Sequence, residues 1–281
     1  MDERKSAVQN SHPAVKNRIF MRPFFSLWEG GRIFMQKEKQ TSIFSASYWY
    51  DAARQFKDVK MITIAALIVA LRITVKFIKI QLAPGLNISL DGYVNSLGSM
   101  IYGPVVGLVV GAISDTLGCL VTGRMGEYFP PFAIVEMSSS FIFALFFWRR
   151  KINIRRTMTA KFTVNLVSNI ILTSIFNKWM YFIYYGIERA EAYNIINGAR
   201  IVKNLVLFPF EATLIVAVLT FALPVITRLK LVDKNLCYLE KPSTKRLIFE
   251  LVGFTLLSIA LIVFYVFFLK DFVADLNIKI W

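Results

Sequence analysis

Seven apolar runs constrain the fold of this chain more than any other feature of its sequence. They cover residues 61–80, 90–102, 105–121, 129–148, 162–185, 199–226 and 247–269. About 20 apolar residues in a helix cross the hydrocarbon core of a bilayer. The second run is short and contains polar residues, which predicts a segment that is either broken or buried inside the protein. Only 18% of the residues are charged, whereas a soluble domain carries about 25%. The sequence therefore predicts an all-α, multi-span membrane helix bundle.

The chain divides into five parts by composition. Residues 1–44 are mixed and charged, and we expect them to be disordered or loosely structured. Residues 45–60, SASYWYDAARQFKDVK, predict an interfacial amphipathic helix whose aromatic side chains meet the membrane surface. We expect six membrane helices in 61–226, a basic cytoplasmic loop in 227–246, and an additional transmembrane helix with a short tail in 247–281.

Basic residues set the predicted orientation in the membrane. The formal net charge is +15, and the positive charges cluster between the apolar runs. Residues 149–161 hold six basic and no acidic residues, and 227–246 hold six basic and two acidic ones. Cytoplasmic loops carry such an excess of Lys and Arg. We therefore expect a multi-pass protein of the cell membrane with a cytoplasmic N-terminus, and no nucleic-acid partner.

The sequence offers no pattern for catalysis, for a cofactor or for a metal site. The only histidine is His12, and the two cysteines, Cys119 and Cys237, are predicted to lie near opposite faces of the membrane as free thiols. No Gly-Lys pair is present, which excludes a P-loop, so any ATP would be hydrolysed by a partner. The acidic residues within the apolar runs are isolated from one another along the chain: Asp115, Glu136, Glu211 and Glu250.

A polar stripe opens the sixth apolar run, in the stretch RIVKNLVLFPFE. Helical spacing places Arg200, Lys203, Asn204 and Glu211 on one face. A basic residue at mid-bilayer costs about 2.5–3.5 kcal/mol, which predicts that the stripe faces an outward cavity holding an anionic ligand. The alternative is that Arg200 and Lys203 extend to the outer membrane surface.

Two other charged residues within the apolar runs enter the prediction of a ligand site. Arg72 follows the middle of the first run, and Asp115 lies near the end of the third. A carboxylate within the membrane needs a donor or a counter-ion, so we expect Asp115 to meet Arg72 or amine groups of a ligand. Glu211 is expected to pair internally with a basic residue such as Arg72.

Small residues recur at helical spacing in two of the runs. Ala66 and Ala70 are four residues apart in the first run, which allows another helix to approach closely, either within this chain or from a partner. Gly103, Gly107 and Gly111 recur in the same way in the third run and predict tight packing between helices.

Four stretches of the sequence resemble the substrate-binding S components of energy-coupling-factor (ECF) vitamin transporters. They are YWYDAARQFKDVKMITIAALIVALRI, GYVNSLGSMIYGPVVGLVVGAISDTLG, YFPPFAIVEM and RIVKNLVLFPFE. The resemblance extends over about residues 48–226. The Arg-x-x-Lys-Asn pattern at 200–204 is similar to that of the folate-type members.

The resemblance implies a protein without catalytic activity that binds a vitamin outside the cell and releases it inside. It implies six helices around an outward-facing site, with the loops after the first and third spans closing over the ligand. It also implies that Ala66 and Ala70 contact a transmembrane coupling subunit, which sits on two ATPase subunits. The alternatives to folate are another vitamin, such as riboflavin or pantothenate, or a membrane assembly subunit that transports nothing.

Folate joins a flat heterobicycle to an aminobenzoyl ring and a glutamate with two carboxylates. Such a ligand needs cations, polar groups that read the ring edge, and aromatic faces. The predicted ligand-binding residues comprise a polar set and an aromatic set: Arg72, Asp115, Arg200, Lys203, Asn204 and Glu211, with Tyr93, Phe129, Trp179 and Tyr184.

Overall fold

The computed structural model describes residues 42–83, 86–123, 128–193, 198–232 and 237–238, with scattered positions between 252 and 267. The predicted N-terminal segment lies outside the described residues, as do most of the basic loop and of the predicted seventh span. Those three predictions stay predictions.

Helices make up most of the described chain. They are α1 (Ala46–Arg54), α2 (Val59–Lys76), α3 (Asp91–Val121), α4 (Phe132–Phe147), α5 (Ile154–Val164), α6 (Thr173–Tyr185), α7 (Ile187–Ala192) and α8 (Gly198–Arg228). A 3₁₀ turn, Gln55–Lys57, follows α1, and a π-helical segment, Asn165–Leu172, joins α5 to α6. The all-α prediction is confirmed, except that it did not include an antiparallel hairpin of β1 (Lys79–Ala83) and β2 (Leu86–Ser89) between α2 and α3.

Three described helical stretches are long and apolar enough to cross a bilayer. They are Asp91–Val121, Ile154–Tyr185 and Arg200–Arg228, while Phe132–Phe147 is apolar but shorter. Capping fixes where two helices begin: the Asp58 side chain accepts from the backbone N–H of Lys60, and the Asn153 side chain accepts from that of Arg156. Because Asn153 caps α5, this helix begins at Ile154, well before residue 162, where the fifth apolar run was predicted to begin.

Helix α3 is bent at one residue. Gly103 has φ 80° and ψ −175°, which no helical residue adopts, and Pro104 follows it. Glycine reaches positive φ without the steric cost that other residues meet. Proline cannot donate the backbone hydrogen bond that would continue the helix. A straight helix of 31 residues would be about 46 Å long.

Contacts with α2 show that the chain reverses at this bend. Asp91, at the start of α3, pairs with Arg72, whereas Gly118, near its end, lies against Lys76. Arg72 and Lys76 are one helical turn apart, so both ends of α3 lie at the same end of α2. The arms 91–102 and 104–121 are therefore antiparallel. The second run is a continuous helical arm and largely buried, so the alternative in which it is buried in protein is confirmed and the alternative in which it is broken is wrong.

The glycines of the third run pack against α4. A Cβ atom on Gly111 would lie 2.8 Å from the backbone of Glu136 and Met137, and one on Gly103 would meet the Trp148 indole at 2.7 Å. At Gly107 the nearest atoms beside a Cβ would be 3.5 Å away, an ordinary contact. The packing prediction is thus confirmed most clearly at Gly103 and Gly111.

Helix α2 presents its small residues away from the bundle. Ala65, Ile68 and Val69 are buried, whereas Ala66 and Ala70 are exposed. Within the described chain, these two alanines therefore do not serve the packing of the bundle itself. Their face is open to lipid or to a partner.

One end of the bundle is held by α1 and by the end of α8. Tyr48 of α1 is buried edge-on against Trp148, with ring centroids 4.9 Å apart, and Arg149 pairs with Asp51 at 2.8 Å. The Lys60 ammonium donates to two backbone carbonyls just beyond α8, at 3.1 and 3.2 Å. A helix lies within the predicted stretch 45–60, at Ala46–Arg54, and packs on the end of α4 and beside the bend of α3.

Candidate functional site

Arg72 is the centre of a closed ionic network. Its side chain is fully buried. Nε and Nη2 donate to the two carboxylate oxygens of Asp91 at 2.7 and 2.8 Å, and Nη2 also donates to Glu136 at 2.6 Å. A guanidinium held in this bidentate way has little capacity left for a ligand. Arg72 therefore pairs with Asp91 and Glu136 and not with Asp115, as one of the two alternatives had it. The other alternative, amine groups of a ligand beside Asp115, stays a prediction.

Asp115 lies beside Lys76 instead. The two charged groups are 4.0 Å apart, and Lys76 also donates to the Ser114 carbonyl at 3.1 Å. Lys76 precedes the hairpin and reaches across to the far arm of α3. A cavity of about 350 Å³ lies below the hairpin at this point. Its lining includes Lys76, Asn87, Ser89, Asp91, Asp115, Cys119 and Glu136.

A second polar region, which we call the polar seam, runs between α5–α6 and α8. It consists of Lys161, Asn165, Asn169 and Ser174 on one side and Arg200, Asn204 and Glu211 on the other. Three contacts cross it: Lys161 to Glu211 at 2.9 Å, Asn169 to Asn204 at 3.4 Å, and Arg200 to Ser174 at 3.0 Å. Since residue numbers rise on one side as they fall on the other, the two helical stretches are antiparallel.

The π-helical segment supplies the middle of the seam. Asn165 and Asn169 both turn inward, and the Asn169 amide donates to Asn165 at 3.1 Å. Single-turn π-helices are rare and occur often at functional sites. Sequence reasoning missed Lys161, Asn165 and Asn169, although two amides four residues apart in an apolar run could have drawn attention to this segment.

Two buried donors near the seam have no partner within the described residues. They are the hydroxyl of Tyr93, on the first arm of α3, and the side-chain N–H₂ of Asn165. The two residues are only 6% and 4% exposed. The hydroxyls of Tyr48, Tyr102 and Tyr193 are likewise buried without a partner within the described residues, so such donors are not confined to the seam.

Aromatic rings gather at the Arg200 end of the seam. Phe129 is buried, and its ring centroid lies 5.7 Å from that of Trp179 and 6.0 Å from that of Tyr184. The Tyr184 hydroxyl donates to the Tyr128 carbonyl at 3.4 Å. The structure thus brings together three of the predicted aromatic residues, while Tyr93 lies apart from them in the core.

Hydroxyl and amide groups connect the two polar regions. Asn95 accepts from Ser140 at 2.7 Å, and Ser140 itself lies 3.5 Å from Arg72. Two residues before Ser140 on α4, Ser138 shares a hydrogen bond with Ser168 of the π-helical segment at 2.8 Å. The Arg72 network and the seam are therefore neighbours with separate partners.

The predicted polar residues divide between these regions. Arg200, Asn204 and Glu211 belong to the seam, and Lys203 is half-buried on α8. Within the described chain, no carboxylate pairs with Lys203. Arg200 donates inward to Ser174, which disfavours the alternative in which it extends to the membrane surface. The expected pairing of Glu211 with a basic residue is confirmed, but that residue is Lys161 and not Arg72.

Known proteins share this sequence pattern. The family model for the S component of ECF-type riboflavin transporters matches residues 56–226. A folate transporter FolT of Clostridium novyi (strain NT) is 26% identical over 179 residues, which cover 63% of this chain and 96% of that protein. A folate transporter FolT of Leuconostoc mesenteroides is 26% identical over 158 residues, covering 55% and 81%. A crystal structure of FolT bound with folic acid is 24% identical, with a TM-score of 0.45, and covers 55% of this chain and 88% of that one. Because the family model spans more than half of the 281 residues, the chain belongs to the S components of ECF-type riboflavin transporters.

Proposed function

We propose that this protein is the subunit that binds folate for uptake across the cell membrane. It binds the vitamin from outside with high affinity and releases it to the cytoplasm. A transmembrane coupling subunit and two ATPase subunits supply the energy, and the chain itself catalyses no reaction. Its N-terminus is cytoplasmic, in agreement with the basic loops.

One observation carries this proposal: a cationic, amide-bearing seam with aromatic rings at one end. Arg200 and Lys203 offer positive charge to the carboxylates of a glutamate tail. Asn169 and Asn204 offer donors and acceptors between them. The rings around Phe129 offer faces for a flat ligand. The two relatives named as folate transporters support the same ligand.

Riboflavin is the second candidate, because the matching family model is that of riboflavin S components. Its flat ring would suit the amides and the aromatic rings equally well. It carries no carboxylate, however, that could interact with the positive charges at the Arg200 end.

Binding to purified protein in detergent distinguishes the two vitamins. Calorimetric titration with folic acid, riboflavin and pantothenate should show tight binding of folic acid only. Tight riboflavin binding without folic acid binding would overturn the assignment to folate.

Two variants test the site. Lys203→Ala and Asn204→Ala should each weaken folic acid binding at least tenfold, about 1.4 kcal/mol. Arg228→Ala, an exposed cation at the opposite end of the same helix, is the matched control and should bind normally. If both seam variants bind as tightly as the parent, the assignment of the site is wrong.

A further inference from the structure

Two helices that are far apart in the chain meet at one end of the bundle. Helix α8 is long and apolar enough to cross the bilayer, and it ends at Arg228. The Lys60 ammonium, at the start of α2, donates to the backbone carbonyls of Leu229 and Lys230 at 3.2 and 3.1 Å. A lysine there satisfies carbonyls that the end of a helix leaves without a donor. The contact brings basic residues of two segments together where α8 leaves the membrane.

Four exposed cations belong to these two segments: Lys57, Lys60, Arg228 and Lys230. The carboxylate of Asp58 lies in the first segment, where it accepts from the backbone N–H of Lys60. No carboxylate among the described residues forms an ion pair with Lys57, Arg228 or Lys230. A surface with such an excess of one charge attracts ligands of the opposite charge. We call the four cations the basic rim.

The backbone at Lys230 indicates that the charge of this residue has a use. Lys230 has φ 53°, in the left-handed region. Its N–H donates to the Thr227 carbonyl and the N–H of Leu231 donates to the Ile226 carbonyl, which is the pattern of a Schellman motif. Glycine is favoured at this position, because a Cβ atom is strained in the left-handed conformation. The ending of the helix therefore does not account for a lysine here.

Apolar side chains adjoin the basic rim on the membrane side. Ile62 near the start of α2, and Val225 and Leu229 at the end of α8, are all exposed. Both helices thus present apolar surface within about one turn of their cations. A phospholipid with an anionic headgroup has the complementary form, since it carries a phosphate attached to acyl chains. A soluble phosphate compound would leave the apolar surface unused.

From the charge, the backbone and the adjoining apolar surface, we infer that the basic rim binds the headgroup of an anionic phospholipid. The phosphate lies among the four cations, and the acyl chains lie along α2 and α8. The basic rim shares no residue with the polar seam. The inference therefore does not depend on which vitamin the seam binds.

Thermal unfolding in detergent micelles that contain phosphatidylglycerol or phosphatidylcholine tests this lipid site. Phosphatidylglycerol should raise the unfolding midpoint of the parent by about 5 °C more than phosphatidylcholine does, because only the first lipid is anionic. The double variant Arg228→Gln, Lys230→Gly removes two of the four cations and should lose most of that difference. Arg155→Gln, which removes an exposed cation of α5, is the matched control and should keep the difference.

Two single variants separate lipid binding from folding. Without added lipid, Lys230→Gly should unfold at the temperature of the parent or higher, because glycine relieves the left-handed backbone. In native mass spectrometry, this variant should bind phosphatidylglycerol about fivefold more weakly than the parent. Lys230→Arg keeps the charge and should bind the lipid as the parent does. A lower unfolding temperature in Lys230→Gly would mean that the lysine itself stabilises the fold, which overturns the inference.

Three other results would also overturn the inference. Equal stabilisation of the parent by the two lipids would mean that the basic rim faces solvent or an acidic protein surface. A full phosphatidylglycerol effect in the double variant would place the lipid elsewhere on the protein. The same stabilisation by glycerol 3-phosphate, which has the anionic group but no acyl chains, would identify a site for soluble phosphate compounds.

Discussion

Replacement of Arg72 by methionine tests whether this buried cation stabilises the fold or binds the vitamin. Arg72 is 0% exposed and bridges Asp91 and Glu136 through contacts of 2.6–2.8 Å. Methionine fills similar space without the charge, so the substitution leaves two carboxylates near each other without compensation. Removing one partner of a buried ion pair costs about 3–5 kcal/mol.

The assay is thermal unfolding of purified protein in detergent, followed by the fluorescence of its five tryptophans. In a domain of 150–250 residues, each kcal/mol shifts the midpoint by about 2–4 °C, so Arg72→Met should lower it by roughly 10 °C. The triple variant Arg72→Met, Asp91→Asn, Glu136→Gln removes all three charges and should regain most of that loss.

Folic acid binding by the triple variant gives the decisive result. If Arg72 acts through the fold, as its contacts indicate, the neutral network should bind folic acid nearly as tightly as the parent. If the triple variant has the unfolding midpoint of the parent but no longer binds folic acid, Arg72 is a ligand contact after all. An unchanged midpoint in Arg72→Met alone would refute the reasoning about the buried pair.

Three other predictions follow from the packing and from burial. Ala66→Leu should leave vitamin binding intact and abolish folate uptake in cells that contain the coupling module, because Ala66 is exposed; loss of binding as well would indicate misfolding instead. Gly111→Ala should destabilise the protein by about 1–3 kcal/mol in thermal unfolding, since its Cβ would lie 2.8 Å from backbone, whereas Gly107→Ala, with 3.5 Å of room, should cost less. Burial raises the pKa of Tyr48 and that of Cys237 to about 12. The folded state therefore binds these protons more tightly, and stability should fall between about pH 9 and pH 12, less steeply in Tyr48→Phe and Cys237→Ser; a flat midpoint over that range would contradict the burial of both groups.

The positions of the membrane helices could be predicted because apolar length and glycine spacing are local properties. The bend at Gly103 was not predicted, although proline at position 104 cannot continue the hydrogen bonds of a helix. The hairpin before Asp91 could not be predicted from short, weakly alternating strands. The partners of Arg72 could not be predicted for the same reason, because the hairpin places Asp91 beside α2.

The candidate site could be predicted on one side only. The stripe on α8 follows from the period of a helix, so Arg200, Asn204 and Glu211 were found together. The facing residues were not, although Asn165 and Asn169 share a helical face by their spacing of four, because the sequence does not show which face of this stretch meets α8. The pairing of Lys161 with Glu211 could not be predicted either. Lys161 precedes the fifth apolar run, and the sequence does not show that α5 places it inside the bundle.

The closed network around Arg72 has a consequence for how such proteins diversify. Its charges are satisfied by the protein itself, so the scaffold keeps its stability whichever nutrient occupies the neighbouring seam. Mutations between α5 and α8 can then exchange one vitamin for another without unravelling the bundle. A single architecture can in this way serve both the riboflavin carriers for which its family is named and relatives that carry folate.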